Sequence, residues 1–184
     1  MKLGNKNLLK RLLSTLLATI MLFSPITTHA SIYWSHGSPT ANFTVKPFYN
    51  LYNNTWVTIL NNGMNAWNYS PAHVSVAVSS YSLDEIQAAS YADSWYGLTW
   101  PYVYPSTGIL SHFIIQINSR TIFADAGNFN NFAKGIVAHE FGHCFWLDDN
   151  PTLVGDESIM NYSRNRNVIC SPQPFDIANV NAIY

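Results

Sequence analysis

The chain has 184 residues with a formal net charge of −1, and only 10% of its residues are charged. Four of the nine basic residues precede residue 12, so residues 31–184 hold five basic and ten acidic residues, a net charge of −5. Nucleic-acid binding depends on neutralising phosphates with Lys and Arg. The composition therefore argues against a nucleic-acid partner and against an anionic membrane surface.

The N-terminus has the pattern of a secretory signal peptide. Basic residues ending at Arg11 precede the apolar run from Leu12 to Phe23, and Thr28 and Ala30 supply small residues at the −3 and −1 positions of a cleavage site. The run is too short to span a bilayer stably. We therefore predict a signal peptide over residues 1–30 and a single domain over residues 31–184, secreted to the extracellular space with no membrane association after cleavage.

Strand and helix patterns follow the signal peptide in chain order. Strands are predicted at residues 43–48, 74–78, 96–103 and 109–118, an amphipathic helix at 53–67, and a short helix or turn at 83–91. Pro101 confines the strand at 96–103 to a sheet edge. Residues 128–147 predict a second long helix, which leads into an irregular tail. This order predicts an α+β domain.

Two histidines stand four residues apart within the second long helix. On a helix, His139 and His143 lie on one face, one turn apart, where both imidazoles can bind a single zinc ion. Glu140, about 100° round the helix from His139, can reach a water on that metal rather than the metal itself. The spacing predicts two zinc ligands and a general base. A catalytic zinc site needs a third protein ligand and an open position for water.

The helix and the residues after it resemble the H-E-x-x-H-x-x-G-x-x-H/D pattern of the metzincin clan of zinc metallopeptidases, which places the third ligand at Asp149. Residues 157–163 resemble the Met-turn of that clan, with Met160 beneath the metal and Tyr162 two residues on. Residues 114–118 and 171–184 are similar to the strand before the active-site helix and to the closing helix of matrixin-like domains. An aspartate ligand is more similar to the small bacterial snapalysin type.

The resemblance implies a metzincin-like zinc peptidase domain with a mixed twisted sheet, two long helices and an irregular C-terminal subdomain ending in a helix. It implies an endopeptidase that holds one Zn²⁺ with His139, His143 and Asp149 and hydrolyses a peptide or protein substrate, with Glu140 as general base. It also implies that an edge strand, here residues 96–103, pairs with an extended substrate. Tyr162 is assigned as a catalytic residue that stabilises the oxyanion, or else packs under the site. We expect a monomer.

Other third ligands remain open. Asp148 is adjacent to Asp149 but out of register with it. A carboxylate from further along the chain would fit other zinc-peptidase plans. The remaining alternatives are Asp156, Glu157, His36, His73 and His112.

Trp146 stands where the clan pattern has glycine. Glycine takes a positive φ without steric cost, whereas tryptophan there is an outlier. Either the turn is built differently or Trp146 is strained. The departure keeps open a catalytically inactive binding module of the same fold, and a non-peptidase zinc hydrolase is the other alternative. Glu140 argues for an enzyme, because a binding module has no use for a base beside the metal.

Two further residue pairs have alternative roles. Cys144 and Cys170 could form a disulfide in an exported protein, but the sequence does not give the Cα separation that decides it. Arg164 and Arg166 follow the Met-turn, and by resemblance they line the pocket for the residue after the scissile bond. They could select an acidic residue, but we expect them to face solvent.

Overall fold

The computed structural model describes residues 34–47, 53–150 and 158–184. The strands are β1 (Asn42–Pro47), β2 (Ser75–Val78), β3 (Glu85–Ala89), β4 (Gly97–Val103) and β5 (Leu110–Asn118). The helices are α1 (Asn54–Asn68), α2 (Ser119–Asp125), α3 (Phe129–Cys144) and α4 (Pro174–Ile183). The predicted signal peptide at residues 1–30 lies outside the described residues.

The five strands form one sheet in the order β2-β1-β3-β5-β4. Neighbouring strands are parallel except β4, which runs antiparallel to β5. The strand that contains Pro101 therefore lies at an edge, as predicted, where a missing backbone N–H removes no bond to an outer neighbour. The predicted mixed sheet with two long helices and a C-terminal helix is confirmed.

Helix α1 anchors the histidine-bearing helix α3 to the core. Asn53 caps the N-terminus of α1: its side chain accepts a hydrogen bond from the backbone N–H of Trp56 at 3.2 Å. The predicted apolar stripe of α1 is buried and packs against α3. Trp67 Nε1 donates to the carbonyl of Ala138 at 2.8 Å, one residue before His139. Burial of each large apolar side chain contributes about 1.5–3 kcal/mol, so this packing fixes the position of the site helix.

The prediction of a short helix or turn at residues 83–91 is wrong. Residues 85–89 form β3, which pairs with β1 on one side and β5 on the other. Ile86 and Ala88 are buried while their neighbours are only partly covered, which is the two-residue period of a strand. Pairing on both sides stabilises the extended backbone and overrides the weak helical preference of a five-residue segment.

Helix α3 is shorter than predicted at its C-terminal end. It begins after Asn128, whose side chain accepts from the N–H of Asn131 at 3.2 Å, and it ends at Cys144 rather than at residue 147. The short helix α2, which follows β5 directly, was not predicted, because seven residues are too few for a helical period to show in the sequence.

Cys144 and Cys170 are both free thiols, so the disulfide that the sequence left open is not formed in the structure. Cys144 is fully buried, and burial raises the pKa of its thiol well above the ordinary value. In the described part of the chain, no helix has the length and apolar character needed to cross a membrane.

Candidate active site

His139 and His143 lie one turn apart on α3 and face each other with ring centroids 4.9 Å apart. Their exposed fractions are 7% and 8%, so both rings are largely shielded from water. Each ring is oriented by a backbone carbonyl: His139 Nδ1 lies 3.0 Å from the oxygen of Ile159, and His143 Nδ1 lies 2.8 Å from that of Leu147. A carbonyl only accepts, so both Nδ1 atoms carry the proton.

The tautomers leave the Nε2 atoms of both rings with free electron pairs. For His143, burial first and the neighbouring His139 second lower the pKa, so the ring is neutral at pH 7. Neutral imidazoles with Nδ1–H bonded to a carbonyl are the form in which histidine binds zinc.

Asp149 joins the two histidines. One ligand atom from each of His139, His143 and Asp149 lies within 4.8 Å of the others. The Oδ1 atom of Asp149 is 3.3 Å from His139 Nε2 and 4.0 Å from His143 Nε2. It is buried and has no hydrogen-bond partner among the described residues.

The donor atoms of this group fit a divalent cation. With the proton of His139 on Nδ1, its Nε2 and Asp149 Oδ1 are two electron-pair donors in contact with no hydrogen between them. Burial alone would raise the pKa of Asp149, but the hydroxyl hydrogen donated by Tyr162 and the two neighbouring histidines together lower it to about 2. The carboxylate is therefore ionised, and a cation among two nitrogens and one oxygen would relieve the contact.

The competing residues lie elsewhere. The carboxylate of Asp148 accepts the backbone N–H of Asp149 at 2.8 Å, so it shapes the loop and stands outside the three-residue group. His36 and His112 bond to their neighbouring serines, and His73 is exposed. Asp156 and Glu157 lie outside the described residues.

The turn that brings Asp149 to the histidines is a Schellman motif. The N–H of Leu147 bonds to the carbonyl of Gly142 at 3.0 Å, and that of Trp146 bonds to the carbonyl of His143 at 3.0 Å. The φ of Trp146 is 70°, which is the left-handed region where glycine is usual. The sequence left two alternatives, a differently built turn or a strained Trp146. The turn keeps its usual backbone shape, so Trp146 is strained.

Residues 34–38 hold Trp146 in this conformation, and we call them the N-terminal clamp. Trp146 Nε1 donates to the carbonyl of Ser38 at 2.6 Å, and the N–H of Trp34 bonds to the carbonyl of Trp146 at 2.6 Å. The indole lies so close to Gly37 that a Cβ there would be 2.3 Å from its Cγ. The contacts of the clamp offset a backbone strain of about 1–2 kcal/mol.

Glu140 is buried and held by the edge strand β4. Its Oε2 accepts the hydroxyl hydrogen of Thr99 at 2.8 Å, and its Oε1 is 4.0 Å from His139 Nε2. A Cβ on Gly97 would lie 2.4 Å from Oε1, so a larger residue there would push the carboxylate away from its present position. The glutamate therefore stands beside the three-residue group and outside it.

The tail places two more residues at the group. Tyr162 donates its hydroxyl hydrogen to Asp149 Oδ2 at 2.6 Å, and this bond, with burial, raises its pKa to about 12. Its exposed fraction of 56% excludes packing beneath the site. Met160 is buried and follows Ile159, whose backbone N–H bonds to the buried carboxylate of Asp176 in α4. Asp176 thus ties the closing helix to the carbonyl that orients His139.

A cleft of about 440 Å³ opens over these residues. One wall is formed by residues 94–99, including the start of β4, and the other by Tyr162, Arg164 and Arg166 of the tail. The expectation that the arginines face solvent is wrong for Arg164, whose exposed fraction is 3%. Hydrogen bonding of its Nη1 to the carbonyl of Asn161 at 2.9 Å turns the side chain inward.

Sequence reasoning missed Gly97, Thr99 and the clamp as parts of this site. Gly97 and Thr99 lie in the predicted edge strand, but their distance from Glu140 depends on how β4 packs against α3. The positive φ expected of a glycine at Trp146 was a signal that a compensating contact must exist, although it did not indicate residues 34–38.

Comparison with protein-family models finds no match, and comparison with curated proteins finds none. Among solved structures, the fold is similar to a chain in the GM1-bound form of the ECX AB5 holotoxin, with 13% identity, a TM-score of 0.54, and coverage of 78% of this chain and 80% of that chain. High choriolytic enzyme 1, a hatching enzyme zinc-protease of the medaka fish Oryzias latipes, matches at 14% identity and TM-score 0.49, covering 83% and 94%. Myroilysin matches at 13% and 0.48, covering 83% and 95%.

At this identity, the likeness to the holotoxin chain concerns the fold alone, and the lower TM-scores of the other two carry no functional argument. The chemistry of the site must be argued from its own residues.

Proposed function

We propose that the protein is a zinc endopeptidase of the metzincin type, in which His139, His143 and Asp149 hold one zinc ion. The observation that supports this most directly is the orphaned Asp149 Oδ1, which faces His139 Nε2 at 3.3 Å inside a group of three ligand atoms, with a glutamate beside it. When bound, zinc supplies Lewis acidity that acidifies a water molecule and polarises the scissile carbonyl.

The chain's own residues supply proton transfer and orientation. Glu140 accepts the proton of the attacking water and returns it to the leaving amine. Thr99 fixes the orientation of that carboxylate through its 2.8 Å hydrogen bond. Tyr162, which stays protonated at neutral pH, has a hydroxyl hydrogen to offer to the developing oxyanion. That role requires the hydroxyl to leave Asp149, to which it now donates.

The proposed substrate is an extended peptide. β4 forms one wall of the cleft and is an edge strand, so its outer backbone groups can pair with a peptide. Thr99 and Gly97 of the same strand contact the carboxylate of Glu140. A peptide paired with β4 would therefore lie alongside the proposed base. Secretion through the signal peptide at residues 1–30, action outside the cell and a monomeric state complete the proposal.

The alternatives are weaker. Trp146 favoured an inactive binding module, but its backbone retains the left-handed turn and Asp149 lies with the histidines. A non-peptidase zinc hydrolase would have no need of an edge strand along the cleft.

The test is zinc content and casein hydrolysis by the purified protein, with and without a chelator. We expect about one zinc per chain, hydrolysis that the chelator abolishes, and loss of zinc in His139→Ala and His143→Ala, because two ligands hold zinc poorly against water. Full zinc occupancy in either variant would overturn the ligand assignment. No cleavage by fully loaded protein across a broad peptide library would favour the binding module.

A further inference from the structure

Arg164 is a buried cation whose hydrogen bonds are incomplete. It lines the cleft together with His139 and Glu140, yet its Nε and Nη2 atoms are covered and have no hydrogen-bond partner among the described residues. Burial first, and the charge of Arg166 second, lower its pKa to about 10, so the guanidinium is still charged at neutral pH. A buried charge without a partner is costly, and such sites are normally completed by an anion.

The two free atoms define the shape of that anion. Nη1 is already committed to the carbonyl of Asn161 at 2.9 Å, which leaves Nε and Nη2 along one edge of the guanidinium. This edge presents two parallel N–H groups, which match the two oxygens of a carboxylate. Glu140, Asp149 and Asp176 raise the pKa of Arg164 through their charges, but none of their carboxylate oxygens accepts a hydrogen bond from Nε or Nη2.

Arg166 adds a second positive charge to the same wall. Its guanidinium carbon lies 5.2 Å above the ring of Tyr96, which belongs to the opposite wall of residues 94–99. The Nε atom of Arg166 also lacks a hydrogen-bond partner among the described residues. The tail wall therefore carries two cations with unused donors.

We propose that Arg164 is the specificity-determining residue of the cleft: once the groups that cover its Nε and Nη2 move aside, it binds a carboxylate of the peptide, either an Asp or Glu side chain or a free C-terminus. Arg166 supports it by raising the local positive potential. This inference rests on the proposed function, because it names the peptide class that the same cleft accepts.

The test uses fluorogenic peptides that differ at one position, Asp against Asn, scanned on both sides of the cleaved bond and made with a free or an amidated C-terminus. Wild type should cleave the Asp peptide about 10- to 100-fold faster in kcat/KM, the value of a charge-assisted hydrogen bond. A preference that persists in amidated peptides identifies a side chain. A preference confined to free acids identifies the C-terminus. Absence of any preference overturns the proposal.

Variants assign the effect to one residue. Arg164→Met should reduce the Asp/Asn ratio to about one, and Arg164→Lys, which keeps the charge but loses the two-pronged edge, should give an intermediate ratio. Arg166→Met should lower the ratio less. An unchanged ratio in a folded Arg164→Met protein contradicts the proposal. A lower unfolding midpoint of Arg164→Met with an unchanged Asp/Asn ratio also contradicts it, because Arg164 would then form an ion pair with a carboxylate of the chain itself.

Binding separates this inference from the proposed function. Calorimetry of the same Asp and Asn peptides with the Glu140→Gln protein needs no turnover. If wild type cleaves nothing but the Asp peptide binds at least tenfold more tightly, and Arg164→Met removes that difference, the carboxylate site stands and the peptidase proposal fails. Equal binding of both peptides overturns the carboxylate site whatever the activity.

Discussion

The site residues of helix α3 and the tail wall of the cleft (Tyr162, Arg164 and Arg166) differ in how their polar atoms are satisfied. On α3, His139 and His143 donate to carbonyls and Glu140 accepts from Thr99, so each side chain has one orientation. On the tail wall, Arg164 has two covered nitrogens without partners among the described residues. Fixed donors and acceptors suit chemistry that needs preorganised groups, whereas an unsatisfied cation suits recognition. Changes to the site residues of α3 should therefore affect all substrates alike.

The largest effect is expected for Glu140→Gln. Glu140 is placed to transfer protons without holding the metal, so hydrolysis should fall by about 10²- to 10⁴-fold with zinc and fold retained. The loss should be equal for acidic and neutral peptides. Tyr162→Phe is the control and should be milder if its hydroxyl only assists the oxyanion. If Glu140→Gln cleaves as fast as wild type, the proposed mechanism is wrong.

Replacing Asp149 tests the third position of the group. Asp149→Ala should weaken zinc binding more than the roughly 10- to 100-fold that follows loss of a residue supporting a ligand. Asp148→Ala should leave zinc affinity nearly intact, since its carboxylate bonds only to the loop backbone in the described contacts. Competition with a zinc chelator of known affinity measures both. The reverse ranking would move the ligand to Asp148, and indifference to both changes would move it to Asp156 or Glu157.

The N-terminal clamp should be worth more than the strain it offsets. Trp146→Gly relieves about 1–2 kcal/mol of left-handed backbone strain but deletes a half-buried ring. The about 3–5 kcal/mol that Trp→Ala costs in a core is the upper bound of that loss, so we expect a net loss of about 1 kcal/mol in the free energy of unfolding. Denaturant unfolding of the zinc-free protein measures it. A gain in stability would show that the clamp contributes little.

Gly37→Ala tests the same contact from the other side. Its Cβ would lie 2.3 Å from the Trp146 ring, so overpacking of about 1–3 kcal/mol should result. Gly127→Ala is the matched control, because a Cβ there meets nothing closer than 3.5 Å. Equal stability of the two variants would contradict the tight fit of the indole on Gly37.

Thr99 should affect rate without affecting the metal. Thr99→Val keeps the shape of the side chain and removes its hydrogen bond to Glu140, so kcat should fall by about tenfold, within the 0.5–1.5 kcal/mol of a typical hydrogen bond. Zinc content should not change. Ser82→Ala, which removes a buried hydroxyl that donates to the carbonyl of Thr44, is the control away from the cleft. A fall in KM alone, or equal losses in both variants, would exclude a positioning role.

The smallest effect concerns pH. The folded state lowers the pKa of His143 below 6.5, so the unfolded chain binds a proton that the folded chain rejects. Stability of the zinc-free protein should therefore fall as pH drops below about 6.5, by at most about 1.4 kcal/mol per pH unit from this group. His143→Asn should flatten that slope between pH 7 and 5. Arg164 keeps its charge throughout this window, so peptide selection by the tail wall should not change with it.

Residue spacing predicted features within single helices, whereas contacts between elements distant in sequence could not be predicted. The placement of His139 and His143 followed from a four-residue spacing, and the apolar stripe of α1 from its period. β3 was misjudged because pairing with two neighbours decided its conformation. Arg164 was expected in solvent because charge alone says nothing of a carbonyl, here that of Asn161, which turns the side chain inward. The contact between Thr99 and Glu140 could not be predicted from the sequence, because it depends on how β4 packs against α3.

Because residues 34–38 hold the strained turn at Trp146, the three proposed ligands come together only when the whole domain is folded. The hydrogen bond between Trp146 and Ser38 joins residues 108 positions apart, so a fragment of residues 128–150 would contain all three proposed ligands without the contacts that bring Asp149 back to the histidines. Such a fragment should bind zinc far more weakly than the whole domain. A truncation or fusion that displaces residues 34–38 should likewise lower zinc occupancy without touching a single ligand.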